Sequence, residues 1–296
     1  MAFDPLPYAI PGFVLLVLLE MFWARARAPT AYEPRDTLTS LGLGLGSTAA
    51  GFLSAGIVYA AAMWLYDLRI FTFGWAWWVW ALAFVLDDLC YYWGHRLGHR
   101  VRWFWASHVN HHSSQHYNLS TALRQTWTGF FALSFVFRLP LALLGFHPAM
   151  LATCAGLNLI YQFWIHTEAI GRCPRWFEWV MNTPSHHRVH HATNPRYLDR
   201  NYAGVFIIWD RLFGSFTPER DDEPVRYGIV QNLATFNPAW VAFHEWISIG
   251  RDVAAADGWK ARAMAVFGPP GWRVGTTADS IRAHWEASRP ASAPAE

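Results

Sequence analysis

The sequence predicts an all-α integral membrane protein with about four to five membrane segments and a cytoplasmic helical cap. Of its 296 residues, 53% are hydrophobic and 17% aromatic, whereas only 15% are charged. Soluble domains carry about 25% charged residues, and the apolar residues here occur in long runs. The cap is indicated by the 14 histidines, many of which follow apolar runs in clusters with helical spacing. The composition therefore favours a helical bundle in a bilayer over a soluble globule.

Five stretches carry the membrane prediction, because a helix needs about 20 mostly apolar residues to cross a bilayer. Residues 8–23, 41–66 and 75–93 are long enough to cross alone. Residues 128–146 and 148–165 are apolar but interrupted by polar residues and a proline, so we expect a helical hairpin that crosses incompletely. Residues 41–66 and 75–93 are predicted to cross the membrane because of their length and hydrophobicity alone.

The ends of these stretches predict their orientation. The first stretch resembles a signal peptide, but no basic residue precedes it and Asp4 stands there instead, so we expect a retained span. Basic residues concentrate in residues 24–40, 95–127 and 167–296. The positive-inside rule places these three regions, including the C-terminus, in the cytoplasm.

Net charge and cysteine usage exclude other classes. A formal net charge of +2 is too small to predict binding to nucleic acid. Cys90, Cys154 and Cys173 are an odd number without CxxC spacing, so they predict neither a disulfide framework nor a thiolate zinc site.

Histidine is the unusual ligand-type residue. Three clusters lie in regions predicted to be cytoplasmic, and a further histidine ends the fifth stretch. Residues three and four apart share one face of a helix, so each cluster presents its imidazoles in one direction. The nine candidate metal ligands are His95, His99, His108, His111, His112, His166, His187, His190 and His191.

The number of imidazoles predicts two metal ions, since a closed zinc site takes only four ligands. Imidazole suits zinc, copper, iron and nickel alike, so the ligand type leaves the metal open. A dinuclear centre just under the bilayer is suited to attack on a lipid C–H bond, which requires iron and O2. Asp88 shares a helical stripe with His95 and is expected to orient His95 or another imidazole.

Four segments closely resemble one known family. They are YYWGHRLGH from Tyr91, HVNHHSSQHYNLSTALRQ from His108, NLIYQFWIHTE from Asn158 and NTPSHHRVHHATNPRYLDRNYAGVFIIWDRLFGSF from Asn182. The histidine pattern HxxxH, HxxHH and HxxHH resembles the membrane fatty acid hydroxylase/sterol desaturase superfamily, and within it the alkylglycerol monooxygenase group. The likeness runs from about residue 83 to residue 249.

The resemblance implies a membrane di-iron monooxygenase that uses O2 to hydroxylate a lipid, which is an alkylglycerol ether, a fatty acyl chain or a sterol-like molecule. It also implies a separate electron donor, either tetrahydropterin or a redox protein. It divides the chain into N-terminal transmembrane helices (1–74), a catalytic domain (75–250) and a partly disordered cytoplasmic tail (251–296). Arg100 departs from the acidic residue expected in the alkylglycerol group, and so does His116.

Five further polar residues each have two interpretations. Asn118, Arg124 and Gln125 either line the substrate entrance or cap a helix, and the first two are predicted, with Asp88, as catalytic residues. Arg138 lies inside an apolar stretch and is either functional or extends to the membrane surface. Asp210 either supports the histidines or pairs with a neighbouring arginine.

Two other functions are compatible with the histidines. A zinc-dependent membrane hydrolase would use the same cluster to activate water. A haem or metal carrier is a weaker fit, because haem needs one or two axial histidines on facing spans, whereas these clusters lie outside the spans. The predicted partners are the bilayer, a lipid substrate and the electron donor, with no nucleic acid.

Overall fold

The computed structural model describes residues 4–273. In this part of the chain there are eleven α-helices, two short 3₁₀ helices and no β-strand. The α-helices are α1 (Leu6–Arg27), α2 (Pro34–Asp67), α3 (Trp77–Arg100), α4 (Arg102–His112), α5 (Leu139–Leu144), α6 (Pro148–Trp164), α7 (Arg175–Val180), α8 (Pro184–His190), α9 (Ile208–Leu212), α10 (Pro238–Ala255) and α11 (Gly258–Phe267). The all-α prediction is confirmed.

Helices α1 and α2 are the two that are long and apolar enough to cross a membrane among residues 4–273. The chain enters α2 through Pro34 in the first turn, and the Glu33 carboxylate accepts a hydrogen bond from the amide of Asp36 at 2.6 Å. Most of both apolar stretches is exposed, including Phe52 and Leu53. Apolar surface of this extent requires a partner, and a bilayer supplies one, which supports a membrane protein.

The other three predicted stretches differ in form. Residues 75–93 lie mainly in α3, which continues to Arg100, and residues 148–165 correspond to α6. Residues 128–146 are not one helix. The backbone of Leu133 is left-handed, with φ of 58°, and Pro140 begins a new helix, so this stretch divides into turns, a 3₁₀ helix (Ser134–Arg138) and α5. Crossing by five segments, with the cap in the cytoplasm, stays a prediction.

An ion pair holds this irregular stretch against α3. Arg138 Nε lies 2.6 Å from Asp87 Oδ1, and the Asp87 side chain is fully buried. Around it pack Ala83, Phe146 and Met150 in the core that joins α3, α5 and α6. Arg138 therefore pairs inside the bundle, which neither interpretation from the sequence included.

The C-terminal helices pack on the cap. Arg102, at the start of α4, contacts Glu245 and Asp252 of α10, each at 2.6 Å. Helix α10 continues to Ala255 and α11 follows it. The boundary predicted at residue 250 thus falls within a helix. The predicted disorder concerns the end of the chain from Ser288, which lies outside the described residues.

Candidate metal centre

All nine predicted histidines come together, in two adjacent groups. Within each group, one nitrogen of every ring lies within 4.8 Å of the others. Among residues 4–273, no carboxylate or thiolate belongs to either group. The first group contains His95, His99, His108, His112 and His190, and the second contains His111, His166, His187 and His191. The groups adjoin, since the ring centroids of His112 and His191 are 4.4 Å apart.

The helices divide their histidines between the groups by helical geometry. In α4, His108 and His112 are four residues apart and face the first group, whereas His111 is turned toward the second. In α8 the division is reversed: His190 faces the first group, while His187 and the following His191 face the second. Helices α4 and α8 therefore link the groups. Helix α3 contributes to the first group alone, and the residues after α6 contribute to the second alone.

Backbone carbonyls orient four of the rings. A carbonyl only accepts, so each Nδ1 carries the hydrogen and each Nε2 keeps a lone pair for a metal. The four pairs are His95 Nδ1 to Tyr202 O at 2.7 Å, His166 Nδ1 to Gln162 O at 2.7 Å, His190 Nδ1 to Arg200 O at 3.0 Å and His111 Nδ1 to Arg124 O at 3.2 Å.

These tautomers bring lone pairs close to one another. The Nε2 atoms of His111 and His166 are 3.3 Å apart, and neither carries a hydrogen. In the first group, His108 Nε2 lies 2.9 Å from His95 Nε2 and 3.0 Å from His112 Nε2, yet it can donate to only one of them. The buried Nε2 atoms of His99 and His190 have no hydrogen-bond partner among residues 4–273. Buried nitrogens rarely stay unpaired, so both groups fit metal ions.

Burial keeps these rings in the form that binds metal. It lowers the pKa of His95 to about 3 and the pKa of His111 to about 4. For the other seven histidines, burial and then the neighbouring rings lower the pKa well below 6.5. Neutral imidazole is the ligand form, and a set of neutral imidazoles suits iron, zinc, copper or nickel.

Asp88 is buried, but within the part of the chain that the structure describes none of its hydrogen bonds involves a histidine, which corrects the contact expected from the sequence. Seven residues separate it from His95, about 10.5 Å along a helix. Its oxygens instead accept hydrogen bonds at 2.8–2.9 Å from four donors, which are Asn158 Nδ2, the Val205 and Phe206 amides and Trp209 Nε1. Asp88 thus anchors the loop that carries Tyr202, whose carbonyl orients His95.

Asn118 and Arg124 are also buried, so neither lines an open entrance. Asn118 closes a turn by accepting from Ser120 and donating to the carbonyl of Ala31. The Arg124 guanidinium pairs with Asp36 of α2 at 3.2 Å and donates to the carbonyl of Asn110 in α4. Arg124 therefore fixes α4 against α2, and its own carbonyl orients His111.

Asp210 pairs with backbone and not with an arginine. Its two oxygens accept from the amides of Tyr202 and Ala203, both at 2.8 Å, and from Ser215 Oγ at 2.7 Å. Burial raises the pKa of Asp210 to about 6. This carboxylate supports the same loop as Asp88, at the amides of Tyr202 and Ala203.

Glu20 is a site-supporting residue that the sequence analysis missed. It is buried in α1 and accepts hydrogen bonds from Tyr32 Oη at 2.5 Å, from the Leu119 amide at 2.7 Å and from Thr167 Oγ1. Thr167 directly follows the ligand candidate His166. The available signal was a carboxylate inside an apolar span, which marks a functional residue by default.

Asp199 is a second missed residue. One of its carboxylate oxygens lies 3.6 Å from His99 Nδ1, and the other lies 3.7 Å from Arg100 Nε. Arg100 also donates to the Tyr202 hydroxyl at 3.2 Å. The positive charge that departs from the alkylglycerol pattern is thus balanced at the edge of the first group.

Comparison with known proteins agrees with this site. Residues 80–215, which include all nine histidines, match the family model of fatty acid hydroxylases. Alkylglycerol monooxygenase of Homo sapiens is 40% identical over 277 residues, covering 92% of this chain and 61% of that protein. The Xenopus tropicalis alkylglycerol monooxygenase is 40% identical over 265 residues, covering 89% of this chain and 58% of that protein.

A more distant relative is cholesterol 25-hydroxylase of Homo sapiens, 28% identical over 141 residues, with 44% of this chain and 48% of that protein covered. No solved structure matches the chain. The chain spans about three fifths of the length of the two alkylglycerol monooxygenases. The resemblance predicted from the histidine pattern is confirmed, because residues 80–215 match the fatty acid hydroxylase family model and two alkylglycerol monooxygenases are 40% identical to most of the chain.

Proposed function

We propose that this protein is a membrane di-iron monooxygenase that uses O2 to hydroxylate a lipid. The observation that carries the proposal is the pair of adjacent, buried histidine groups whose lone pairs converge. Nine imidazoles exceed what one metal ion accepts, and their division into five and four supports two ions. The relatives named as alkylglycerol monooxygenase and cholesterol 25-hydroxylase support lipid hydroxylation.

The proposed reaction inserts one oxygen atom of O2 into a lipid C–H bond and reduces the other to water. The balance requires two electrons and two protons, which an external donor supplies, either a tetrahydropterin or a redox protein. Two iron ions, when bound, would supply the O2 activation. The histidines would hold them, His95, His99, His108, His112 and His190 at one position and His111, His166, His187 and His191 at the other.

The other buried residues act by positioning. Carbonyl oxygens hold the Nδ1 hydrogens outward, so the Nε2 lone pairs point inward without a rearrangement on metal binding. Burial of the rings excludes bulk water, which protects a strong oxidant from side reactions. Asp88 and Asp210 fix the loop that carries the Tyr202 carbonyl.

The test is a turnover assay of the full-length protein, loaded with iron in detergent or nanodiscs and supplied with O2 and tetrahydropterin or a reduced ferredoxin. The lipid panel contains an alkylglycerol, a fatty acid and a sterol. We expect one hydroxylated product that carries ¹⁸O from ¹⁸O2. Activity should be lost in His187→Ala and kept in His244→Ala, a histidine of α10 outside both groups.

Metal analysis separates this proposal from the zinc hydrolase. Two irons per chain and ¹⁸O incorporation are the expected results. Two zinc ions in protein purified without added zinc, together with lipid cleavage in the absence of O2, would establish the hydrolase and refute the monooxygenase.

A further inference from the structure

A surface cavity of about 530 Å³ lies outside both histidine groups. Its floor is formed by Ser185 and His186 of α8, and its sides by α7, the segment before α7 and residues 211–219. The buried Nδ1 of His186 has no hydrogen-bond partner in the described part of the chain. The other ring nitrogen, Nε2, lies 4.0 Å from Glu178 Oε2, which links the floor of the cavity to α7.

The cavity carries positive charge at its rim. Arg172, Arg175 and Arg211 line it. Within residues 4–273, no ion pair involves Arg175 or Arg211, and Arg172 pairs with the highly exposed Asp221. Arg211 donates from its Nε and Nη2 to the carbonyls of Trp179 and Glu178, which are uncharged acceptors.

The carboxylates of the cavity are already engaged. Glu178 accepts from the Cys173 amide at 2.9 Å and from Thr183 Oγ1 at 3.1 Å. Glu219 forms a bidentate pair with Arg188, with contacts of 2.8 and 2.7 Å. Arg175 is therefore an exposed rim charge without an ion-pair partner among residues 4–273, and with Arg211 beside the same cavity an anion is the complementary ligand.

Exposed tryptophans stand beside these arginines. Trp176 is 75% exposed and Trp179 is 63% exposed, although both are large and apolar. Arg211 lies 5.5 Å from the Trp179 ring. Tryptophan next to arginine is typical of segments at a membrane surface, where the ring meets the acyl region and the cation meets the headgroups.

The attachment of α7 to the bundle agrees with this location. Tyr161, near the end of the apolar helix α6, donates to the carbonyl of Asn182 at 2.7 Å, just after α7. The segment that joins α7 to the floor of the cavity therefore lies beside the last turn of α6.

We propose that this cavity binds the headgroup of an anionic phospholipid of the surrounding bilayer. The phosphate lies against Arg175, Arg172 and Arg211, and the acyl chains lie along Trp176 and Trp179. The site is independent of the histidine groups, since α8 separates them, and its occupancy requires neither metal nor turnover.

The experiment measures lipid binding to the full-length protein in detergent by native mass spectrometry, with dioleoyl phosphatidylglycerol and dioleoyl phosphatidylcholine as probes. The wild type should retain phosphatidylglycerol in preference to phosphatidylcholine. Arg175→Ala should weaken phosphatidylglycerol binding about fivefold, the effect of one arginine near an anionic surface, and Arg175→Glu should weaken it further. Arg175→Lys keeps the charge and should stay within about twofold of the wild type.

The matched control is Arg220→Ala, because Arg220 is an exposed arginine of the cap, paired with Asp222, that does not line the cavity. It should bind phosphatidylglycerol as the wild type does. Trp176→Ala tests the acyl contact without changing charge and should also weaken binding. Metal content measured on the same samples reports whether each variant is folded.

Three results would overturn the proposal. One is equal binding of the two lipids by the wild type. Another is unchanged phosphatidylglycerol binding in Arg175→Glu. The third is displacement of the lipid by inorganic phosphate at about 10 mM, which would assign the cavity to a soluble anion. None of these results depends on lipid hydroxylation, so failure here leaves the proposed monooxygenase activity unaffected.

Discussion

The two histidine groups differ in what holds them. The first group receives two rings from the long helix α3, and its edge carries Asp199 and Arg100, which reach the surface. The second group receives His166 from the residues after α6, and the buried Glu20 of α1 supports the neighbouring Thr167. One group thus depends on a charged, partly exposed edge, and the other depends on the apolar helix α1, which lies outside the matched family domain.

This difference has a functional consequence for a dinuclear centre. Shared helices α4 and α8 couple the two positions, whereas α3 and the end of α6 each serve one of them. Two metal ions held in this way are not equivalent. Changes in α3 and α6 should therefore separate the properties of the two positions.

The largest effect is expected from removing a ligand that belongs to one group alone. His95→Ala should weaken metal binding at the first position and His166→Ala at the second, so after treatment with a chelator each variant should retain about one metal ion where the wild type retains two. Lipid hydroxylation should be abolished in both, since both ions are proposed to act on one O2. The measurement is metal stoichiometry by mass spectrometry, together with product analysis.

His244→Ala is the control for these variants and should keep both metals. Loss of both ions from His95→Ala and from His166→Ala alike would contradict the separation of the groups and indicate one cooperative site.

The next largest effect is expected on the thermal stability of the fold around the first group, when Asp88 is replaced. Asp88→Ala leaves four donors without their acceptor, two buried and two partly buried, and each buried one costs about 1–3 kcal/mol. We expect the melting temperature in detergent to fall by about 10 °C, and metal to be lost first from the group that contains His95. Asp221→Ala, at an exposed surface pair, should change it by no more than about 2 °C. An unchanged melting temperature in Asp88→Ala would show that the loop does not need this anchor.

The sequence predicted the ligands better than their grouping. Eight of the nine histidines were found because residues three and four apart share a helical face, and His166 was found because it ends the fifth apolar stretch. The division of the second cluster was not predicted, because His111 and His112 are adjacent and therefore turned by about 100° from each other. Which of them joins His166 depends on how α4, α6 and α8 pack, and contacts between distant segments leave no periodic signal in the chain.

The contacts of Asp88 could not be predicted for the same reason. Its spacing places it on the stripe of His95, but two helical turns separate the side chains. Its partners at Val205 and Phe206 follow more than 110 residues later. Glu20, in contrast, was detectable from the sequence, because a carboxylate within an apolar span is costly unless it is engaged.

A smaller effect is expected at the second group from Glu20→Gln. The substitution keeps the shape but replaces one acceptor oxygen by a donor that faces the Leu119 amide or the Thr167 hydroxyl. Supporting residues of this kind typically change metal affinity by about tenfold or more. We therefore expect one of the two metal ions to leave about tenfold faster in the presence of a chelator.

Glu168→Gln is the matched control, because Glu168 directly follows Thr167 but lies at the surface. Its carboxylate accepts a hydrogen bond from the Tyr227 hydroxyl. It should release metal at the wild-type rate. Equal rates in Glu20→Gln and the wild type would show that α1 does not support the site.

The smallest effect is expected at the edge of the first group. The Asp199 carboxylate lies 3.6 Å from His99 Nδ1, too far for a strong hydrogen bond, and it is partly exposed, so solvent screens it. Asp199→Asn should therefore weaken metal binding at the first position only about threefold, measured by chelator competition. Part of that loss comes from the charge of Arg100, which Asp199 no longer balances. The double variant Arg100→Ala with Asp199→Asn should consequently bind metal more tightly than Asp199→Asn alone. Equal affinities of the single and double variants would show that Asp199 acts on His99 directly, without a contribution from Arg100.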